Sequence, residues 1–154
     1  MPRTRFDSAP CPIARATDLI GDWWTPIILR DATFGRRRFE DFRTGLGLPR
    51  AILSRRLARL VREGLMERVA YAERPRRYEY HLTPKGRAFF DVLAAMWRWG
   101  GDWLWPDGHG PQVMLVDRKT RREVRPVVVD QRTGKPLELA RLRVVRRPGA
   151  GAPG

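Results

Sequence analysis

A mainly α fold with a β wing (α+β), followed by a short β-rich C-terminal tail, is what this 154-residue chain predicts. Three observations carry it. Apolar residues recur at helical spacing in four successive stretches before Gly64. Period-two alternation then takes over, interrupted by a basic turn that contains proline. A last, longer helical pattern follows, and a Pro/Gly-rich break separates it from the tail.

Residues 12–33 read as two short helices. Ile13, Ala16 and Ile20 share one face, Gly21 interrupts, and Thr25-Pro26 has the form of an N-cap followed by proline at the first helical position. In GRRRFEDFRTGLG, Phe39, Phe42 and Leu46 mark a compact amphipathic helix that Gly45 or Gly47 ends. The next stretch, GLPRAILSRRLARLVREGLMERV, holds an apolar stripe of Leu53, Leu57, Leu60 and Val61 and stops at Gly64. It also carries six arginines. Met66, Arg68 and Ala70 share one parity of a strand, and Tyr78, Tyr80 and Leu82 that of a second, with AERPRR forming a hairpin turn near residues 73–77. Thr83-Pro84 then caps one long helix, PKGRAFFDVLAAMWRWGGDWLW. Phe89, Leu93, Met96, Gly100 and Trp103 lie along one side of it, with Phe90, Ala94 and Trp97 beside them. A helix apolar over so much of its surface must bury both sides. In so short a chain the second side is expected to meet another subunit.

Composition narrows the function. The chain is 42% hydrophobic, enough for a core, and its net charge is +14. Such a field attracts nucleic acid or an anionic membrane surface. Of the 31 basic residues 28 are arginine, so where they stand says more than how many there are. No 18-residue apolar stretch spans a membrane, and the N-terminal residues lack the apolar run of a secretory signal. A single cysteine, Cys11, excludes an intramolecular disulfide framework. The expectation is a soluble cytoplasmic protein.

A helix, a Gly-containing turn, an Arg-rich helix and a hairpin with a basic tip make up a winged helix-turn-helix domain. A recognition helix needs a short turn before it, an apolar back to anchor it, and polar residues near its N-terminus to reach base edges. GLGLP supplies the turn and the leucines supply the back. Pro49, Arg50, Ala51, Ser54, Arg55 and Arg59 are candidate DNA contacts of the recognition helix. Arginine can bond guanine bidentately, and serine serves base or phosphate. Arg74, Arg76 and Arg77 at the hairpin tip suit a minor groove or phosphates, and Arg36, Arg37 and Arg38 form a third basic cluster. A solvated charged face is the plainer reading of any one cluster; three at this spacing favour three contact elements.

The segments CPIARATDLIGDWWT, RRRFEDF, the L-x-x-R-L of Leu53 to Leu57, EGL, YEYHLTPKG and the WG of Trp99-Gly100 together resemble the HxlR-type bacterial transcription regulators, relatives of the MarR group. The resemblance covers residues 11–105. It implies a homodimer joined through terminal helices, here Phe89, Phe90, Leu93, Met96, Trp97, Gly100 and Trp103, binding double-stranded DNA at an inverted repeat. Pro49 departs from the pattern, standing where the family often has a small hydroxyl residue. Cys11 matches a cysteine that in such regulators often senses oxidants or electrophiles, with Arg15 one helical turn on. A small buried hydrophobe is the alternative for Cys11.

The domain is thus expected over 1–105, a linker over 106–112, a β-rich, degenerate ribbon-like tail over 113–147, and disorder over 148–154. Charge is spread over both parts, with 20 basic against 12 acidic residues in 1–105 and 11 against 5 in 106–154. In the tail, VDRKTRREV from Val116 and VDQRTGKPL from Val129 repeat at a 13-residue offset. Each half has the spacing of a zinc-ribbon knuckle with Asp and Thr in place of thiolates, a poor ligand set for structural zinc. No metal and no cofactor are expected. Two metal-free turn-and-strand units are the reading; two unrelated hairpins are the alternative.

The tryptophans Trp23, Trp24, Trp97, Trp99, Trp103 and Trp105 favour core or interface, with a small-molecule effector pocket as the other possibility. Two serines, two histidines and one cysteine leave no nucleophile–base or metal constellation, so the chain is not expected to be an enzyme. The rival function is a non-sequence-specific or architectural nucleic-acid-binding protein. A protein-interaction module that kept the fold is weaker, because the arginines are intact.

Overall fold

A computed structural model of the chain describes residues 6, 8–106, 108–145 and 147–148. The disorder expected over 148–154 therefore falls, apart from Pro148, outside the described residues. The chain divides into two compact units, Met1–Phe90 and Asp91–Gly154. The boundary falls at the start of the terminal helix and not in the Pro/Gly-rich stretch.

In the first unit the order is α1 (Pro12–Ile20), α2 (Trp24–Thr33), α3 (Phe39–Leu46), α4 (Arg50–Arg62), β1 (Met66–Glu73), β2 (Arg76–Leu82) and α5 (Pro84–Ala88). The core is Ile28 and Leu29 of α2, Phe42 of α3, Leu48 of the turn, Leu53, Leu57 and Leu60 of α4, and Leu65, Met66 and Phe89. Helices α2, α3 and α4 thus bury apolar positions at helical spacing. Thr25 is not the cap of α2 but lies buried in its first turn. The capping side chain is Asp22, whose Oδ1 accepts from the amides of Trp24 and Thr25, both at 2.9 Å, and whose Oδ2 accepts from Thr25 Oγ1 at 2.7 Å.

Between α3 and α4, Gly47 takes the left-handed conformation (φ 63°) that closes a helix without a Cβ clash. Leu48 then turns inward, and Pro49 stands just outside α4, not within its first turn. Its carbonyl accepts from the amides of Ile52 and Leu53, and no side chain caps the helix.

The antiparallel wing pairs Met66 with Leu82 and Glu73 with Arg76, with a register shift between Ala70 and Ala72 that leaves Tyr71 as a bulge. Its turn is only Arg74-Pro75, tighter than the 73–77 loop the sequence suggests. A short third edge joins β2, where Arg38 bridges Glu79 and the Tyr80 amide donates to the Arg37 carbonyl at 2.7 Å.

The helix expected from Pro84 onward is broken at Phe89 into α5 and α6 (Phe90–Trp103). Thr83 caps α5, accepting from the Gly86 amide at 3.1 Å and donating to the Gly64 carbonyl at 2.6 Å. Its Oγ1 thereby ties the wing exit to the end of α4.

The second unit holds α6 from Asp91 onward and the tail. The tail's β structure is two isolated antiparallel bridges, Val116–Glu123 and Val129–Pro136, followed by a short 3-10 turn at Leu139–Arg141. The two halves of the sequence repeat are the same turn. Asp117 Oδ1 accepts from the amides of Lys119 (2.9 Å) and Thr120 (2.6 Å), and Asp130 Oδ1 from that of Arg132 (2.8 Å). Thr120 and Thr133 each accept from the amide two residues on. The left-handed residues, Arg121 (φ 59°) and Gly134 (φ 66°), also stand 13 positions apart. The alternative of two unrelated hairpins is set aside on that geometry. The Thr120 backbone amide, bonded to Asp117, holds that carboxyl below its ordinary range.

Candidate nucleic-acid interface

α4 separates its residues cleanly. Leu53, Leu57 and Leu60 are buried, and Arg50, Ala51, Ser54 and Arg55 are exposed. Arg50 is the most organised of the exposed set: its guanidinium lies 5.0 Å from the centroid of the Phe39 ring and is ion-paired with Glu40, yet 70% of the side chain stays accessible. Glu40 also accepts from Arg43 Nε at 2.6 Å. That bond, with the charges of Arg43 and Arg50, keeps its carboxyl below the usual 4.5.

The wing places Arg74, Arg76 and Arg77 at its exposed tip, with Arg68 and Arg76 at 4.1 and 5.7 Å from the Tyr78 ring centroid. A cavity of about 720 Å³ runs between this hairpin and the start of α4, bounded by Arg38, Phe39, Arg50, Tyr71, Arg76 and Tyr78. Arg38 stacks 4.8 Å from the Tyr71 centroid and donates to Glu79 at 3.2 Å. Arg37 Nη1 donates to His81 Nδ1 at 2.9 Å, and His81 Nε2 lies 3.1 Å from Glu79 Oε2. An arginine donor at Nδ1 fixes the proton on Nε2, which then donates to the carboxylate. His81 and Arg38 together hold the Glu79 carboxyl below its ordinary value.

Three sequence candidates stand elsewhere. Arg59 is turned away from the exposed face. Its Nη2 donates to the Asp18 carbonyl at 2.7 Å, its Nη1 lies 3.4 Å from Asp22, and only 18% of the side chain is accessible. Arg36 is ion-paired with buried Asp31 and occupies the space a Cβ on Gly45 would need, so it braces α2 against α3. Phe89, expected at a subunit interface, is core of the first unit. The cause is common to all three: spacing gives a residue's face, but not whether a little-exposed carboxylate or a helix break claims it. The claimants, Asp22 and Asp31, are not among the residues the sequence singles out. For Asp22 the available signal is the pattern Asp-x-x-Thr ahead of α2.

Cys11 is exposed at the N-cap of α1. The Arg15 side chain is engaged by the Ala9 carbonyl at 2.6 Å. Trp23 and Trp24 belong to the first unit and Trp97, Trp99, Trp103 and Trp105 to the second. No described helix is long and apolar enough to cross a membrane.

A helix anchored by buried leucines with an arginine front, entered through a left-handed glycine and followed by an arginine-tipped hairpin, defines a winged helix-turn-helix protein. The chain belongs to the HxlR-like helix-turn-helix family of transcriptional regulators, whose pattern matches residues 19–107. It is 38% identical over 139 residues to an uncharacterized HTH-type transcriptional regulator, Rv3095, of Mycobacterium tuberculosis, spanning 90% of this chain and 86% of that protein. It is similar in structure to PA1607, a candidate transcription factor, with a TM-score of 0.84 and 41% identity over 94% of this chain and all of the other. The oxidized redox regulator HypR matches with a TM-score of 0.55 and 30% identity, over 60% of this chain and 96% of its own.

Proposed function

We propose that the protein binds duplex DNA sequence-specifically, as a homodimer on an inverted repeat. The observation that carries this is the division of α4 into a buried leucine back and an exposed front of Arg50, Ala51, Ser54 and Arg55. The front enters the major groove. Arg50 and Arg55 read bases, while Ser54 and the uncapped first turn behind Pro49 meet base or phosphate. Arg37, Arg38, Arg74, Arg76 and Arg77 flank it as contacts to phosphate or the minor groove. Arg50→Ala or Arg55→Ala is expected to lose about 1–3 kcal/mol on the preferred site and relax one base position. Equal losses on random duplex at the same salt would reduce these residues to phosphate contacts and favour the architectural reading.

The dimer reading rests on α6. None of its residues is buried, and Met96, Trp99 and Trp103 are exposed on an apolar helix. Phe90, Leu93, Met96, Trp97, Gly100 and Trp103 are assigned to the subunit contact. Cys11 is assigned a redox role, supported by its exposure and by the likeness to HypR. Its thiolate attacks one oxygen of the peroxide, breaking the O–O bond and expelling hydroxide, and becomes a sulfenic acid; attack by a second thiol on that sulfur then closes the disulfide and releases water. The second thiol is the partner's Cys11 or a small cellular thiol, since the chain has no other cysteine. Mild oxidant is expected to weaken operator binding reversibly, and Cys11→Ser to abolish that response while preserving binding. An identical response in both proteins would leave Cys11 without a sensing role.

A further inference from the structure

The tail repeat has no part in the recognition just described, and its geometry is that of two displayed basic turns. In each, the Asp and Thr side chains are consumed by backbone amides, so they hold the loop and are not offered to a ligand. What each loop displays is cationic. The first shows Arg118, Lys119, Arg121 and Arg122, all exposed, and the second Arg132 and Lys135. Among the described residues, the tail's ion pairs engage Arg125 with Asp102, Arg132 with Asp130 and Arg141 with Glu138, and none reaches the four cations of the first turn. Asp117 and Glu123 offset only part of that charge.

Arg121 adds a separate argument. It is the one non-glycine residue with positive φ among the described residues, and the equivalent position of the second turn is Gly134. A conformation that L side chains rarely adopt is thus held by an arginine where glycine would fit without strain. An exposed guanidinium therefore stands in the first turn at the position where the second has glycine.

We propose that the two tail turns are a second DNA contact, a pair of backbone clamps that grip phosphates and read no sequence. The proposal rests on the DNA-binding reading above, but not on its sequence specificity. Phosphate is the chemistry these groups fit: a polyanion of regular spacing, met by arginine and lysine on a hydrogen-bonded turn without any apolar or stacking residue in the loop.

The test uses the full chain, with Arg118→Gln, Lys119→Gln, Arg121→Gly and Arg122→Gln combined; the glycine relieves strain, so the turn itself is expected to persist. Binding is measured against salt on a duplex carrying the inverted repeat and on a random duplex of equal length. Both affinities are expected to fall by the same factor, roughly tenfold or more at low salt. The slope of log K against log salt should flatten by about 0.9 for each phosphate that the variant no longer neutralises. Hydroxyl-radical footprinting at saturation is expected to lose a discrete set of backbone protections and keep the rest. Unchanged slopes on both duplexes, or identical footprints at saturation, would overturn the proposal. Wild-type protein that binds both duplexes equally, while the variant loses on both, would instead sink sequence specificity and leave the clamps standing.

Discussion

Replacing Asp22 by alanine is the perturbation that probes most of the fold at once. Its carboxylate caps α2 through two amides and the Thr25 hydroxyl, and it faces Arg56 at 3.2 Å and Arg59 at 3.4 Å on α4. Loss of an N-cap acceptor costs about 1 kcal/mol. Thr25 is 1% exposed, so stripping its hydroxyl of an acceptor adds about 1 kcal/mol more. Arg59 keeps the Asp18 carbonyl, and Arg56 is a third exposed, so the ion pairs are discounted for solvent screening to about 1 kcal/mol together. Asp22→Ala is therefore expected to lose about 3 kcal/mol, read from the urea midpoint at unchanged slope. Asp22→Asn keeps an oxygen for the amides and gives up the charge, so it should lose distinctly less. A loss below about 0.5 kcal/mol for alanine would mean that water replaces these contacts without penalty, and the linkage between α2 and α4 would have to be abandoned. Arg59→Ala provides the companion reading: lower stability with an unchanged salt slope for DNA, the reverse of a phosphate contact.

Gly86→Ala places a Cβ over the Leu65 carbonyl oxygen and against Leu82, so it is expected to destabilise by about 2–3 kcal/mol. A gain of about 1 kcal/mol, as at a free helix site, would show that the Leu65 backbone and α5 are not in close approach. For Glu79 the folded carboxyl lies below 4.5, so its contribution is complete above that pH and is lost as the pH falls through the folded value. Acid titration of stability should accordingly be shallower in Glu79→Gln than in wild type, and coincident curves would remove the Arg38–Glu79–His81 network as a stabilising unit. Charged residues at both Met96 and Trp97 should yield monomers or insoluble protein, checked by sedimentation; a well-folded dimer after that change would move the subunit contact off α6.

The helices and the wing were legible in the sequence because their signals are local. Leucines at three- and four-residue spacing, a glycine after each of α3 and α4, and Thr83-Pro84 each act within one turn of themselves. What escaped was non-local. The break at Phe89 follows from that ring being taken into the core of the first unit, which apolar spacing along a helix cannot distinguish from an outward face. The edge at Arg37 and Arg38 pairs with β2 some forty residues away in sequence, and nothing in RRRF announces it. The 13-residue repeat was visible as a pattern of letters, but its physical content, one turn geometry built twice, needed the matching dihedrals of Arg121 and Gly134.

The same division sorts the arginines. In the proposed reading, a guanidinium is free to meet DNA where internal partners leave it on the exposed face of α4 or the wing. Arg36 and Arg59 are instead engaged by Asp31 and Asp22, both little exposed, which repay part of their desolvation with charge-assisted bonds. Arg50 is held differently. Its partner Glu40 is half exposed and shared with Arg43, so the pair is screened and the guanidinium can exchange a carboxylate for a base or phosphate at little cost. Phe39 beneath it limits the rotamers it loses on doing so. The net charge of the chain therefore overstates its DNA-binding capacity, and the unclaimed or weakly claimed cations of α4, the wing tip and the tail turns are the ones expected to set the salt dependence.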